Sequence, residues 1–160
     1  MAKKPRPQQN QGAVLNRRAR FDYELGDELE TGIVLTGAEA RAARDNHVQL
    51  KGAFVTIRNG ELWLNNASFS LTLNKKGDPS ARTIDTSPRK LLAHRAQIAA
   101  LEAKRQQGST IVPLRMLTKK NHIKIVIAVG KGKKHYDKRE TLKRRDQDRE
   151  AARAIKHHSN

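Results

Sequence analysis

The sequence predicts a mainly β protein with helices, an α+β chain whose short strands form a small β-barrel. Three observations favour this class. Segments in which apolar and polar residues alternate recur between residues 21 and 129, turn residues separate these segments, and helix-start signals lie between them. The length of 160 residues allows one compact domain with tails. We therefore expect five or six strands with inserted helices in about 110 residues.

The first predicted elements are a strand and a short helix. The strand covers Phe21–Leu35, because apolar side chains alternate there with polar ones, and it is expected to break near Gly26 and Gly32. Thr36-Gly-Ala-Glu39 has the spacing of a capping box, in which a hydroxyl and a carboxylate each accept a hydrogen bond from the other residue's backbone amide. This spacing predicts a helix over Gly37–Arg44.

The most clearly marked element is a hairpin over Ala53–Leu64. Its centre, Asn59-Gly60, provides the two residues that tolerate positive φ in a type I′ turn. Trp63 lies in a strong strand beside this turn, and we interpret it as a core residue. A further strand is expected over Ala67–Leu73, and Asn74–Thr86 is expected to be a long polar loop.

A long helix and a second hairpin complete the predicted core. Ser87-Pro88 and Gly108 mark the two ends of a helix over Arg89–Gln107, with serine as the N-cap and proline at the first helical position. Two strands follow, Thr110–Leu117 and His122–Val129, and apolar residues alternate in the second. An oligonucleotide-binding (OB) type of barrel over residues 13–130, with flanking helices, fits this set of elements.

The two ends of the chain differ from this core in composition. Residues 1–12 are rich in Pro, Gln and Lys, so they are expected to form a disordered basic arm. Residues 131–160 hold 11 Lys or Arg against five acids, and their only larger apolar residues are Tyr136, Leu142 and Ile155. Because its other residues favour helix, this segment is predicted to be a disordered basic tail that becomes helical against RNA.

The charge of the chain indicates a polyanionic partner. Lys and Arg number 33 against 16 Asp and Glu, which gives a formal net charge of +17. No run approaches the roughly 18 apolar residues of a membrane span, and the charged runs lack an amphipathic apolar face. Nucleic acid is therefore favoured over an anionic membrane surface. There is no cysteine and no apolar stretch near the N-terminus, so we expect a cytoplasmic protein.

Three basic clusters are candidates for RNA binding. In Lys131–Arg139, five cations surround His135 and Tyr136, so that cations can bind phosphates while the rings stack on bases. A second cluster is Asn16–Arg20, which precedes aromatic residues. The third comprises Arg89, Lys90 and Arg95, which are expected at the positive end of the long helix. Each cluster also has a simpler interpretation as solvated surface charge.

Catalysis is not favoured by the sequence. The six histidines show neither an HExxH pattern nor a paired Cys/His spacing, so no metal and no other cofactor is predicted. Asp137 and Glu140 lie near lysines, but a nuclease site requires rigid carboxylates that converge on a metal, and a flexible tail does not provide them. We expect a protein that is not an enzyme.

Several short motifs, in their order and spacing, closely resemble the SsrA-binding protein (SmpB) family. The match extends from about Asn16 to Arg153. The motifs are Asn16-Arg-Arg-Ala-Arg-Phe-Asp-Tyr23, Glu30-Thr-Gly32, Leu35-Thr-Gly-Ala-Glu39, Arg89-Lys-Leu-Leu92, Gly108-Ser-Thr-Ile-Val-Pro113 and Gly130-Lys-Gly-Lys-Lys-His-Tyr-Asp-Lys-Arg139.

The resemblance implies an OB-type barrel with flanking helices and a defined set of partners. Proteins of this family bind the tRNA-like domain of transfer-messenger RNA (tmRNA, or SsrA RNA) and deliver it to bacterial ribosomes stalled on messages without a stop codon, in trans-translation. The implied partners are tmRNA, its alanylated complex with elongation factor Tu and GTP, and the 70S ribosome with its 16S rRNA. The tail would enter the empty mRNA channel and be helical when bound to the ribosome. A monomer is expected.

Candidate site residues follow from these motifs and from the basic clusters. Those expected to bind tmRNA are Asn16, Arg17, Arg18, Arg20, Tyr23, Glu30, Arg89 and Lys90. Those expected at the ribosomal decoding centre are Lys131, Lys133, Lys134, His135, Tyr136, Asp137, Lys138 and Arg139. The sequence leaves open whether Glu30 contacts RNA or a neighbouring arginine. It also leaves open a second function, that of a basic ribosomal or ribosome-assembly RNA-binding protein.

Overall fold

The computed structural model describes residues 13–73, 78, 80–119 and 121–158, and within them it has ten strands and four helices. The predicted arm over residues 1–12 lies outside this part of the chain. The elements in chain order are β1 (Ala13–Leu15), α1 (Arg17–Asp22), β2 (Tyr23–Ile33), α2 (Gly37–Arg44), β3 (Val48–Gln49), β4 (Phe54–Arg58), β5 (Glu61–Asn65), β6 (Ser68–Thr72), β7 (Arg82–Asp85), β8 (Arg89–Leu92), α3 (Arg95–Gln106), β9 (Thr110–Thr118), β10 (Ile123–Gly132) and α4 (His135–His158). The predicted α+β class is confirmed.

Seven strands form one antiparallel sheet in the order β1-β9-β10-β2-β8-β5-β4. An additional pairing joins β4, at one end of this order, to β9, the second strand from the other end, through Val55 and Ile111. Apolar side chains at alternate positions point inward, and Ile125 and Ile127 of β10 are fully buried in the core cluster. A second sheet of three short strands has the order β3-β6-β7.

Two local signals in the sequence correspond closely to the structure. Asn59 and Gly60 have φ values of 51° and 72°, as the predicted turn between β4 and β5 requires. At the start of α2, Thr36 Oγ1 accepts a hydrogen bond from the Glu39 amide at 3.3 Å, and Glu39 Oε2 accepts one from the Thr36 amide at 2.7 Å. Both the hairpin and the capping box are confirmed.

The prediction of a helix beginning at Arg89 is wrong. Residues 89–92 form β8, which pairs with β2 and β5, and the helix begins only at Arg95 after the N-cap His94. The pairing of Leu91 with Leu62 and Ile33 inserts a buried apolar side chain between two strands, and this tertiary gain outweighs the local Ser-Pro signal.

Other boundaries also differ from the predictions. Phe21 belongs to α1, and β2 continues through both of its glycines. Its pairing with β10 shifts register at the predicted break near Gly26, because Leu25 pairs with Gly130 and Glu28 pairs with Ala128. At Gly32 a Cβ atom would come within 3.2 Å of Leu92, so the close approach of β8 explains this glycine.

The predicted polar loop over residues 74–86 contains strand β7, and residues 74–77 and 79 of this loop lie outside the described part of the chain. Strand β10 extends to Gly132, two residues beyond the predicted end of the barrel domain.

The C-terminal tail is a helix in the structure, α4, from His135 to His158. The sequence predicted helix only in the bound state. The favourable composition of the segment and the cap at Asp137 are consistent with the helix. The disorder expected of the free tail is not shown.

Candidate nucleic-acid interface

Asn16 is an internal anchor for the basic helix that follows it. The residue is 8% exposed, and its Oδ1 accepts a hydrogen bond from the Ala19 amide at 3.3 Å, which caps α1. Its Nδ2 donates to the carbonyls of Leu50 and Pro113 at 3.0 and 2.9 Å. Asn16 therefore fixes the start of α1 against β9 and positions the arginines that follow.

The three predicted arginines of α1 are all exposed at the surface. Arg18 Nε lies 3.1 Å from Asp22 Oδ2, and Arg20 Nη2 lies 3.9 Å from Glu28 Oε1. Arg17 has no ion-pair partner within the described residues. Because the Arg18 and Arg20 side chains are 59% and 70% exposed, these ion pairs are weak, and the guanidinium groups remain accessible to an anion.

Glu30 holds two lysines on the outward face of the main sheet. Its Oε1 lies 2.8 Å from Nζ of Lys124 on β10 and 3.2 Å from Nζ of Lys119. The hydrogen bonds from Lys124 and Lys119 lower the pKa of Glu30 below its ordinary value. Within the described residues, the ion-pair partners of Glu30 are lysines and not an arginine, and a contact with RNA stays a prediction.

A second acid of β2 organises cations in the same way. Glu28 lies two residues before Glu30, on the same face of the strand, and its Oε2 accepts a hydrogen bond from Arg115 Nη2 at 2.9 Å. Arg115 belongs to β9, and Arg20 of α1 approaches the other oxygen of Glu28. The two carboxylates therefore hold four cations in one area of the surface.

Arg89 lies inside the protein, where it has little surface to offer to a ligand. Its side chain is 4% exposed, and its guanidinium contacts Glu39 Oε1 at 2.9 Å and Asp85 Oδ2 at 3.3 Å. It also donates to the carbonyl of Ser87 at 2.6 Å, and its Cζ lies 4.0 Å above the centre of the Phe69 ring. This arginine links α2, β6 and β8.

Lys90, the neighbour of Arg89 on β8, faces outward. Its side chain is 38% exposed, and its Nζ pairs with Glu61 on the adjacent strand at 2.5 Å. The two residues that sequence reasoning placed together at a helix start therefore lie on opposite faces of a strand.

The junction between the main sheet and α4 brings two of the sequence clusters together. Gly132 pairs with Tyr23, and the Lys133 amide donates to the carbonyl of Asp22 at 2.9 Å. Lys133 Nζ also donates to the carbonyl of Arg20 at 3.1 Å, at the C-terminal end of α1. At Gly130 a Cβ atom would come within 3.0 Å of Tyr23, so this glycine lets β10 approach the half-buried tyrosine.

Asp22 connects α1 directly to α4. Its Oδ1 lies 3.1 Å from Lys138 Nζ, while its Oδ2 binds Arg18. Partial burial acts to raise the pKa of Asp22, but the ion pairs with Lys138 and Arg18 outweigh it, so the pKa is lowered from its ordinary value. The carboxylate is therefore charged at neutral pH and fixes the first turn of α4 beside α1.

The rest of the predicted decoding segment is mostly at the surface. Lys134 Nζ lies 5.9 Å from the centre of the Tyr136 ring, and the tyrosine is 63% exposed. Asp137 is half-buried, and its Oδ2 accepts a hydrogen bond from the Lys134 amide at 3.2 Å at the start of the helix. The exposed side chains are Lys131, Lys134, His135, Tyr136 and Arg139.

Sequence reasoning missed several residues of this surface. Lys119 and Lys124 complete the contacts of Glu30, and Arg115 completes those of Glu28. A further missed feature is the exposed pair Val34 and Leu92, which are 51% and 52% exposed. No local signal points to these contacts, because Lys119 lies 89 positions from Glu30 along the chain.

Neither a metal centre nor a membrane span is found in the part of the chain that the structure describes. No group of three His, Asp or Glu side chains there is arranged to hold a metal ion. None of the helices in these residues is long and apolar enough to cross a membrane.

Comparisons with known proteins match this chain almost from end to end. The model of the SmpB protein family matches residues 13–157. The SsrA-binding protein of Lacticaseibacillus casei is 43% identical over 160 residues, covering 98% of each chain. That of Shouchella clausii is 46% identical over 142 residues, covering 88% of this chain and 89% of the relative.

A solved structure agrees with these sequence matches. It is described as "tmRNA-SmpB: a journey to the center of the bacterial ribosome", and it superposes with a TM-score of 0.58 at 32% sequence identity. The match covers 78% of this chain and 86% of the other. Because a family model spans most of the chain and relatives above 40% identity align over most of both chains, this protein belongs to the SmpB family.

Proposed function

We propose that this protein binds the tRNA-like domain of tmRNA and delivers it to stalled bacterial ribosomes for trans-translation. Family membership carries this proposal, since the relatives are SsrA-binding proteins and the similar solved structure is of tmRNA with SmpB. Family membership also favours this function over that of a ribosomal or ribosome-assembly protein.

Sequencing the RNA that co-purifies with the protein distinguishes these two functions. One predominant RNA with a tRNA-like end is expected, whereas equal amounts of all ribosomal RNAs would contradict the proposal.

The fold proposed for this function is the OB-type barrel. The support is that the main sheet closes through the pairing of β4 with β9 and encloses the larger of two apolar clusters. Such barrels bind oligonucleotides on the outer face of their strands. The same face here carries the cations that Glu28 and Glu30 hold in place.

We place the tmRNA-binding surface on α1 and on the adjacent outward face of β2, β9 and β10. The arginines of α1 and the four cations around Glu28 and Glu30 form one basic area, and RNA is bound largely through such contacts to phosphates. In this proposal Asn16 and Tyr23 support the surface from within. Arg89 is assigned to stability, because its side chain is buried and ion-paired.

Replacing Arg17, Arg18 and Arg20 together by glutamine is expected to weaken tmRNA binding and to flatten its salt dependence. Each phosphate contact contributes up to about 0.9 to the slope of log K against log salt for a duplex, so the slope should fall by as much as about 2.7. Filter binding at several salt concentrations measures this. The control replaces Arg41, Arg82 and Arg105 with glutamine, which removes equal charge from α2, β7 and α3. Equal slopes for the two triple variants would contradict the proposed surface.

Replacing Glu30 by glutamine is expected to weaken tmRNA binding severalfold, although it removes a negative charge from an RNA-binding protein. The reason is that Lys119 and Lys124 lose the carboxylate that positions them. If Glu30 acts through these lysines, a triple variant with both lysines also changed to glutamine should bind no worse than the double lysine variant. Additive losses would instead indicate a direct contact of Glu30 with RNA.

The pH dependence of this positioning follows from the lowered pKa of Glu30. A carboxylate whose pKa is lowered in the folded state stays charged as the pH falls from 7 to the ordinary value of 4.5. The two lysines should therefore stay in place over that range and be released only at lower pH. Titration of the Glu30 carboxyl by NMR measures this directly.

For the tail, we propose that α4 enters the empty mRNA channel and that its first turn reaches the decoding centre. There the exposed lysines and Arg139 would bind phosphates of the 16S rRNA, and the exposed rings of His135 and Tyr136 would stack on bases.

The proposed partners also include the 70S ribosome and the alanyl-tmRNA complex with elongation factor Tu and GTP. The protein is proposed to act as a cytoplasmic monomer that binds RNA and catalyses no reaction.

A further inference from the structure

Trp63 lies on the outer face of the main sheet, although the sequence indicated a core residue. It is half-buried on β5, and its neighbours Leu62 and Leu64 point into the core. Its cross-strand partners are Thr56 on β4 and Lys90 on β8. A large aromatic ring therefore takes part in the surface that faces solvent.

A cavity of about 340 Å³ opens beside this tryptophan. Its walls are Trp63, Pro88, Arg58, Asn59 and Glu61. The indole offers a planar and largely apolar face, the proline ring is apolar, and the turn residue Asn59 offers an amide with both a donor and an acceptor. This combination fits a planar, polar-edged molecule that stacks on an aromatic ring.

The charges around the cavity favour an anionic ligand. Glu61 is neutralised by Lys90, whose Nζ lies 2.5 Å from its carboxylate. Arg58 is exposed and has no carboxylate partner within the described residues, although it pairs with Glu61 in the strand register. An unpaired guanidinium beside an aromatic wall suits a nucleotide, whose base stacks while its phosphate binds the cation.

We infer that Trp63 and Arg58 form a binding site for one unpaired RNA nucleotide, with the base stacked on Trp63 and a phosphate at Arg58. This inference rests on the proposed RNA-binding function and adds a second contact area to it. In the sheet, β8 separates β5 from β2, so the site lies one strand away from the basic area around Glu30. An RNA that reaches both areas would cross the exposed Leu92 and Lys90 of β8.

The intrinsic fluorescence of the protein reports on this site, because Trp63 is its only tryptophan. We would titrate the full chain with a single-stranded tetra-adenylate and with an abasic oligonucleotide of the same length and charge. Saturable quenching by the tetra-adenylate, with little or none by the abasic probe, is expected. No quenching, or equal quenching by both probes, would overturn the inference, since the probes differ only in their bases.

Two variants distinguish stacking of a base on Trp63 from general electrostatic attraction of the oligonucleotide to a basic protein. Replacing Trp63 by threonine, which favours strands, should weaken binding of labelled tetra-adenylate about 5-fold or more. Replacing Arg58 by glutamine should weaken it severalfold and shift the quenching curve, whereas Arg105→Gln on α3 should not. Equal effects of Arg58→Gln and Arg105→Gln would overturn the role of Arg58, even if Trp63→Thr proved unstable.

Failure of this inference and failure of the proposed function are distinguishable. Binding of tmRNA is measured by filter binding, which does not depend on Trp63 fluorescence. If tmRNA binds tightly while the tetra-adenylate neither quenches Trp63 nor binds, the nucleotide site is wrong and the proposed function stands. If the tetra-adenylate quenches Trp63 in a base-dependent manner while tmRNA binds no better than a random RNA, the site stands and the proposed function is wrong.

Discussion

Replacing Arg89 by leucine is expected to lower the free energy of unfolding by about 3–5 kcal/mol. The side chain is 4% exposed and that of its partner Glu39 is 10% exposed, so the substitution leaves a nearly buried carboxylate without its cation. The carbonyls of Ala67 and Ser87 lose a donor as well. Urea unfolding followed by circular dichroism measures the loss.

The matched control for Arg89 is its neighbour on the same strand. Lys90→Leu also removes one cation from β8, but the pair that it forms with Glu61 is more than a third exposed on both sides. Its loss is expected to change stability by no more than about 1 kcal/mol. If Arg89→Leu and Lys90→Leu lowered the free energy of unfolding by the same amount, the buried position of Arg89 would be wrong.

A double variant tests the cause of the Arg89 effect. Glu39 uses one oxygen for Arg89 and the other to cap α2 at Thr36. Adding Glu39→Gln to Arg89→Leu removes the uncompensated charge and keeps an acceptor for the cap. The double variant should therefore be more stable than Arg89→Leu alone. A double variant that is less stable would contradict an electrostatic origin.

Truncation after Lys134 is expected to abolish rescue of stalled ribosomes while it leaves tmRNA affinity nearly unchanged. The truncation removes α4, the proposed ribosomal element, and spares the proposed tmRNA-binding surface. Its position is important, because a cut after residue 130 would also remove the pairs of Lys131 with Glu24 and of Gly132 with Tyr23. The measurement is peptide tagging by ribosomes stalled on a message without a stop codon, together with tmRNA filter binding.

A point variant, Asp22→Asn, tests the position of α4 without removing it. Asp22→Asn keeps the whole tail but removes the ion pair with Lys138 that fixes the first turn of α4 beside α1. Rescue should fall partially, and amide hydrogen exchange at the start of α4 should become faster. Full rescue by the truncated protein would contradict the role of α4, and a loss of tmRNA binding in the truncated protein would contradict the separation of the two surfaces.

The contact between α1 and α4 joins the proposed tmRNA-binding surface to the proposed ribosome-binding helix, so the two surfaces are adjacent. Lys133 and Lys138 of the tail segment bind the last residues of α1, whose arginines are assigned to tmRNA. The Asp22 pair is fully formed at neutral pH because the lowered pKa keeps the carboxylate charged, and it is lost only as the pH falls below the ordinary value of 3.8. An RNA bound at α1, as proposed, would therefore lie beside the first turn of the helix proposed for the ribosome.

Local features of this protein followed from the sequence alone. The turn at Asn59-Gly60, the capping box at Thr36 and the alternation in β10 depend on residues within a few positions of one another, so their physical causes lie in short segments. The motifs that indicate the SmpB family are likewise short and contiguous, and their order along the chain is a property of the sequence itself.

The face and the partner of each residue depend on contacts between distant segments of the chain. The strand at Arg89–Leu92 exists because β2 and β5 lie on either side of it, and Arg89 is buried because Glu39, 50 positions away, neutralises it. Glu30 and Lys119 meet across 89 positions, and Lys133 reaches Arg20 across 113. Strand pairing and ion pairing act between segments that folding brings together, and a linear pattern of charges does not specify which of them will meet.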